Sequence, residues 1–144
     1  MAVNYIPQDY HTVTPYLMVK GAGTLLTFLK MTFDATEKEM MKRPDGTIAH
    51  AEVRIGDSVL MLGEATEESR PMPATLYVYV KDADAIYQRA LKAGGTSLRE
   101  PAPQFYGDHH GAVMDPTGNC WWIATHVEDV SPDEMARRAK AAMK

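Results

Sequence analysis

Corresponding residues in the two halves of this chain stand 61 positions apart. The differences 75 − 14, 80 − 19, 86 − 25 and 122 − 61 all equal 61, pairing Thr14 with Thr75, Val19 with Val80, Leu25 with Ile86, and Met61 with Trp122. The shared offset runs through a predicted first strand, a helix and a last strand. It points to an internal duplication, with a period longer than solenoid repeats use.

Each copy reads strand-helix-strand-strand-strand. In the first, Thr12 to Val19 is rich in β-formers, and Leu25, Leu26, Phe28, Leu29 and Phe33 recur with helical spacing. Glu37 to Lys42 reads as a strand. Ile48 to Ile55 alternates, with Ala51, Val53 and Ile55 on one side and His50, Glu52 and Arg54 on the other. Gly56-Asp57 turns the chain into Ser58 to Leu62. In the second copy, Thr75 to Val80 is a strand, and Asp82 or Asp84 caps a helix through Lys92 that Gly94-Gly95 ends. Thr96 to Arg99, His110 to Met114 and Cys120 to Thr125 complete it, with Asp115 to Asn119 as a turn. Glu64 to Pro73, charged and holding two of its prolines, reads as a connection. Ser131, Pro132 and Glu134 announce a last helix through a capping box. The predicted boundaries are 1–63 for the first module, 64–74 for a linker, 75–127 for the second module and 128–144 for a helical tail.

Composition narrows the function. Apolar residues make up 45% and charged residues 24%, which suits a packed core. Net charge is −4 with no basic block, which argues against nucleic acid as a partner. No apolar run is long enough for a membrane span, and Met1 to Tyr10 has no basic leader or apolar core. Cys120 is the single cysteine, so no intrachain disulfide forms and a cytoplasmic location is expected.

Three stretches carry a resemblance. TVTPYLMVKGA (Thr12 to Ala22), AHAEVRIGDSVLML (Ala49 to Leu62) and YGDHHGAVMDPTGNCWWIATH (Tyr106 to His126) resemble the PhnB-like branch of the vicinal-oxygen-chelate superfamily, which includes glyoxalase, bleomycin-resistance and dioxygenase-like proteins. The resemblance implies an α+β fold of two βαβββ modules. Their eight strands would form a curved mixed sheet around a pocket, with helices outside. It also implies a homodimer, often with modules exchanged between chains.

Metal-dependent members place a His or Glu on the first and last strand of each module. Carried over, those positions fall on Thr14, Met61, Thr75 and Trp122. A hydroxyl is a weak ligand, a thioether a soft one, and indole N–H only donates, so no metal is expected there. Strand alternation instead groups Thr14 with Tyr16, and Thr75 with Tyr77 and Tyr79, alongside Met61 and Trp122. With His110 they form the predicted ligand-binding set, a wall suited to a flat aromatic or amphipathic molecule. His50 and Glu52, two apart and on the Met61 side, are the candidate acid/base pair; the plainer reading is a hydrogen-bonded wall. His109 and His110 must face opposite ways, and Cys120 reads as a small buried thiol.

The sequence thus supports a metal-free binding protein that sequesters a small organic molecule and carries no cofactor. The alternative is a lyase, isomerase or dioxygenase-like enzyme. It would use a displaced divalent metal or the His50/Glu52 pair.

Overall fold

The computed structural model describes residues 2–143 and is α+β, with two four-stranded mixed sheets and three helices. The chain divides into two units. One runs to Ala74 and takes in Pro116–Gly118; the other holds Thr75–Asp115 and the chain from Asn119 onward.

The first unit contains β1 (Tyr16–Val19), α1 (Ala22–Phe33), β2 (Thr36–Lys42), β3 (Ile48–Ile55) and β4 (Ser58–Glu64). Its sheet order is β1-β4-β3-β2, with β1 parallel to β4 and the other pairs antiparallel. Helix α1 packs on β1, β3 and β4. Leu25, Phe28 and Leu29 of the helix are fully buried, as are Ala51, Val53 and Leu62 of the sheet. Each such large apolar side chain contributes about 1.5–3 kcal/mol by leaving water. Because strand side chains alternate, this burial commits Tyr16, His50, Glu52 and Met61 to the face away from α1.

The second unit repeats the plan with β5 (Thr75–Tyr79), α2 (Ala83–Lys92), β6 (Thr96–Pro103), β7 (Asp108–Met114) and β8 (Cys120–His126), in the order β5-β8-β7-β6. Here Trp121, Ile123 and Val113 are the large fully buried sheet side chains, and α2 packs on β6, β7 and β8. The turn Asp115–Asn119 anchors Trp121, whose indole N–H donates to buried Asp115 at 2.7 Å.

The duplication extends to individual contacts. Tyr16 faces Met61 in the first parallel pair, and Tyr77 faces Trp122 in the second. The second strand of each unit has two register shifts, and the first falls at an equivalent place in both, between Glu37 and Glu39 and between Ser97 and Arg99. Each helix start is tied to the last strand of its own sheet. Ala22 N–H donates to Glu64 Oε1 at 3.0 Å, and Ala83 N–H donates to Thr125 Oγ1 at 2.9 Å. The first turn of a helix has N–H groups without intrahelical partners, and the same strand position satisfies one of them twice.

Several sequence expectations need correction. The first strand starts at Tyr16, so Thr14 precedes the ladder: Pro15 has no N–H to give, although its carbonyl accepts from Met61 N at 2.9 Å. Strand β6 continues past Arg99 through Pro101 to Pro103, tolerable because it is an edge strand. The last helix, α3 (Pro132–Ala142), makes only half its capping box. Ser131 accepts from Glu134 N at 3.2 Å, while the Glu134 carboxylate turns to Arg137 and Arg138. Among the described residues no helix is long and apolar enough to cross a membrane.

Candidate functional site

Tyr16 lies on β1 and His50 on β3, so the phenol must cross β4 to reach the imidazole. It crosses at Gly63, where a Cβ would stand 3.6 Å from the Tyr16 hydroxyl and 2.7 Å from the Ala49 carbonyl oxygen. With no side chain in the way, Tyr16 OH meets His50 Nδ1 at 2.9 Å, and His50 Nε2 meets Glu52 Oε2 at 2.7 Å. A carboxylate only accepts, so in the neutral ring Nε2–H donates to Glu52 and Nδ1 accepts the Tyr16 proton. Both ring nitrogens are then engaged. The second Glu52 oxygen and the Tyr16 lone pairs remain for a ligand.

His50 and Glu52 border an open pocket of about 920 Å³ with Thr14 and Met61. Met40 and Met41 add thioethers, and the segment before β1 adds the rings of Tyr5 and Tyr10. Lys38 holds its ammonium 5.3 Å from the Tyr10 ring centre. Polarizable walls with a few fixed polar groups suit an organic ligand, and the volume falls in the range of small-molecule sites.

The second sheet carries the same pair. Tyr77 crosses β8 at Ala124, the residue opposite His110, and meets His110 Nδ1 at 2.9 Å. Here the acid attaches to the other partner. Buried Asp108 accepts from Tyr77 at 2.7 Å and Tyr79 at 2.9 Å through Oδ2, and from His126 Nδ1 at 2.7 Å through Oδ1. Burial raises the Asp108 pKa, but these three donors outweigh it and hold the carboxyl below its ordinary range. Burial, then the bond to Asp108, pushes the Tyr77 phenol far above its ordinary range. His126 also bonds Asp129 at 2.7 Å, and its two carboxylate partners, Asp108 first, raise its pKa.

Because the Tyr77 proton is committed to Asp108, we assign the His110 hydrogen to Nδ1, donating to Tyr77 at 2.9 Å, with the Tyr106 hydroxyl 3.1 Å from the same nitrogen. Burial is the main reason the His110 pKa is lowered; the Asp108 charge opposes the shift, while Arg99 and His109 add to it. The ring is therefore neutral near pH 7, with Nε2 a bare acceptor. Trp122 packs 4.7 Å from His110 and lies nearly parallel to Tyr77, with the Arg99 guanidinium 5.7 Å from its ring. His109 faces the opposite way and meets Asp84 at 3.0 Å.

The predicted residues thus fall into two groups. Thr14, Tyr16, His50, Glu52 and Met61 belong to the first unit; Thr75, Tyr77, Tyr79, His110 and Trp122 belong to the second. The sequence reading missed the hydrogen-bond network of Asp108 and His126. It also missed Arg99 and Tyr106. Asp108 was within reach, since it stands two residues before His110 on one strand and so shares its face.

The four positions to which the resemblance assigns metal ligands, Thr14, Met61, Thr75 and Trp122, present two hydroxyls, a thioether and an indole, a donor set that does not fit a divalent ion. Among the described residues no group of three or more His, Cys, Asp or Glu side chains is placed to hold a metal. Burial raises the Cys120 thiol pKa, which keeps it protonated and weakly nucleophilic.

Two βαβββ units, each with a helix on one sheet face and polar-aromatic side chains on the other, define a class of paired-module α+β proteins. The chain belongs to the Glyoxalase/Bleomycin resistance protein/Dioxygenase superfamily, whose family model matches residues 10–123. It is 34% identical to an uncharacterized protein of Mycobacterium bovis, across 94% of this chain and 93% of that one. Its fold is similar to that of a PhnB protein from Bacillus cereus, with a TM-score of 0.64, 19% identity, and 80% of this chain and 99% of that one covered. It is also similar to the fosfomycin resistance protein FosX from Mesorhizobium loti, with a TM-score of 0.60, 18% identity, and 80% and 91% covered.

Proposed function

We propose that this chain binds a small, flat or amphipathic organic molecule without a metal ion, in the manner of bleomycin-resistance-like sequestration. The observation that carries the reading is the pocket on the first sheet. Its thioether and tyrosine walls surround Thr14 and a His50–Glu52 pair already locked by hydrogen bonds. Sequestration requires apolar area and a few oriented polar atoms; it requires neither a nucleophile nor an ion. The same reading places the chain in the PhnB-like branch, as a cytoplasmic homodimer. Light scattering of the purified protein tests the dimer.

The test is a thermal-shift screen of flat aromatic and amphipathic compounds in chelator, followed by calorimetric titration of the hits. Met61→Asp, which puts a charge in the wall, abolishes binding while Glu52→Gln weakens it only several-fold. A hit unaffected by Met61→Asp would remove the pocket from the account.

The Tyr16–His50–Glu52 chain favours a second reading, an acid/base enzyme. His50 has no free nitrogen, so the Tyr16 hydroxyl would be the group exchanging a proton with substrate, with His50 and Glu52 stabilising the charge. Its mark is turnover lost in Glu52→Gln with folding intact.

A further inference from the structure

The two Tyr–His pairs match in geometry and differ in wiring. In the first unit the acid holds His50 Nε2, so the imidazole is spent. In the second the acid holds Tyr77, which reverses the direction of the Tyr–His hydrogen bond and frees the far nitrogen of His110. The His110 side chain is only 4% exposed, and Nε2 has no protein partner among the described residues. The one fully buried side-chain polar atom without a partner among those residues is Thr32 Oγ1, so Nε2 is not sealed from solvent. An open acceptor on an otherwise buried ring has to be met by water or by a ligand's donor.

Two further features specify that ligand. Trp122 presents a flat indole beside His110, on a face where Tyr77 is 40% and Tyr79 61% exposed. Arg99, also exposed, has the Trp122 ring as its side-chain contact and no carboxylate partner among the described residues. The Trp122 ring it contacts packs 4.7 Å from the His110 ring, so the guanidinium and the imidazole flank the same indole. An exposed guanidinium resting on a ring can turn to an anion without breaking an ion pair.

We infer that the open face of the second sheet binds a hydroxylated aromatic acid. Its ring stacks against Trp122, its hydroxyl donates to His110 Nε2, and its carboxylate pairs with Arg99. This goes beyond the proposed function, which rests on the first unit's pocket. The first unit, with Glu52 where the second has Ala112, offers no matching combination of bare imidazole and guanidinium.

The test uses 4-hydroxybenzoate as probe, titrated calorimetrically into the full-length protein. The series adds 4-methoxybenzoate, which lacks the donor, and phenol, which lacks the anion. These analogues replace a His110 variant, because that ring is hydrogen-bonded in the core and its loss risks unfolding. The probe binds saturably and roughly tenfold more tightly than either analogue, the usual effect of losing one hydrogen bond or ion pair at a desolvated site. Arg99→Gln, at an exposed position, leaves Tm unchanged and removes the preference for the probe over phenol. Equal affinity across the series, no saturation at millimolar concentration, or binding indifferent to Arg99→Gln would each overturn the inference. So would binding that Met61→Asp removes and Arg99→Gln does not, since the acid would then sit in the first unit's pocket.

Discussion

Replacing Asp108 with Asn removes one charge from the centre of the second sheet's network while nearly preserving shape. Asp108 accepts from two phenols at 2.7 and 2.9 Å and from His126 at 2.7 Å. An amide has one oxygen for these three donors, and its NH₂ must face either the phenols or the imidazole. The least costly arrangement keeps the oxygen on Tyr77 and Tyr79 and turns the NH₂ to His126, which must then accept through Nδ1. The two phenol bonds drop from charge-assisted to neutral strength, a loss of about 0.5–1.5 kcal/mol each. His126 is exposed, so its share is screened by solvent and adds little. The total is about 1–3 kcal/mol. At roughly 3 °C per kcal/mol for a chain of this size, Tm falls by about 3–9 °C. Scanning fluorimetry measures that fall. Proton NMR of the His126 ring reads the second consequence, a pKa that drops toward the ordinary imidazole range because its leading hydrogen-bond partner has lost its charge. An unchanged Tm together with an unchanged His126 midpoint would refute the hub.

Other consequences follow from the same geometry. Gly63→Ala puts a methyl 2.7 Å from the Ala49 carbonyl oxygen, beneath the Tyr16 hydroxyl, and lowers stability by about 1–3 kcal/mol in a denaturant melt. Thr32→Val removes a fully buried hydroxyl that has no partner among the described residues, and raises stability by about 1 kcal/mol by the same assay. Stability also depends on pH in a defined direction. The depressed Asp108 pKa gives a contribution present above the unfolded carboxyl's range, near 3.8, and lost as pH falls through the lower folded value. The raised His126 pKa gives one present below the unfolded imidazole's range, near 6.5, and lost as pH rises through the higher folded value. Tm measured across pH is therefore highest between those two ranges, and Asp108→Asn flattens the curve.

The fold was legible because its signals repeat. The strand read at Ile48–Ile55 and the helix read at Leu25–Phe33 each have a counterpart one module later, and the structure places strands and helices there in both units. Boundaries were less legible where proline decides them: Pro15 delays β1, and Pro101 and Pro103 looked like the end of a strand that runs on along an edge. The pairing of His50 with His110 was hidden for a numerical reason. Tyr16 and Tyr77 stand 61 apart, but 110 − 50 is 60, because the second unit is one residue shorter before β6 and one longer in the turn after β7. A fixed offset therefore aligned the tyrosines and slid past the histidines. The Asp108 network was hidden for a physical reason. Three of its partners come from β5 and the end of β8, and no local pattern brings Tyr77, Tyr79 and His126 to one carboxylate. Only the register does so.

The most direct test of metal-free binding is calorimetric titration of a screened aromatic hit into protein held in chelator, repeated with zinc, nickel or manganese added in excess. The account predicts the same affinity and stoichiometry in every titration, and loss of binding in Met61→Asp. Binding that appears only when an ion is supplied, or tightens by orders of magnitude with it, would contradict the account and make the ion part of the site.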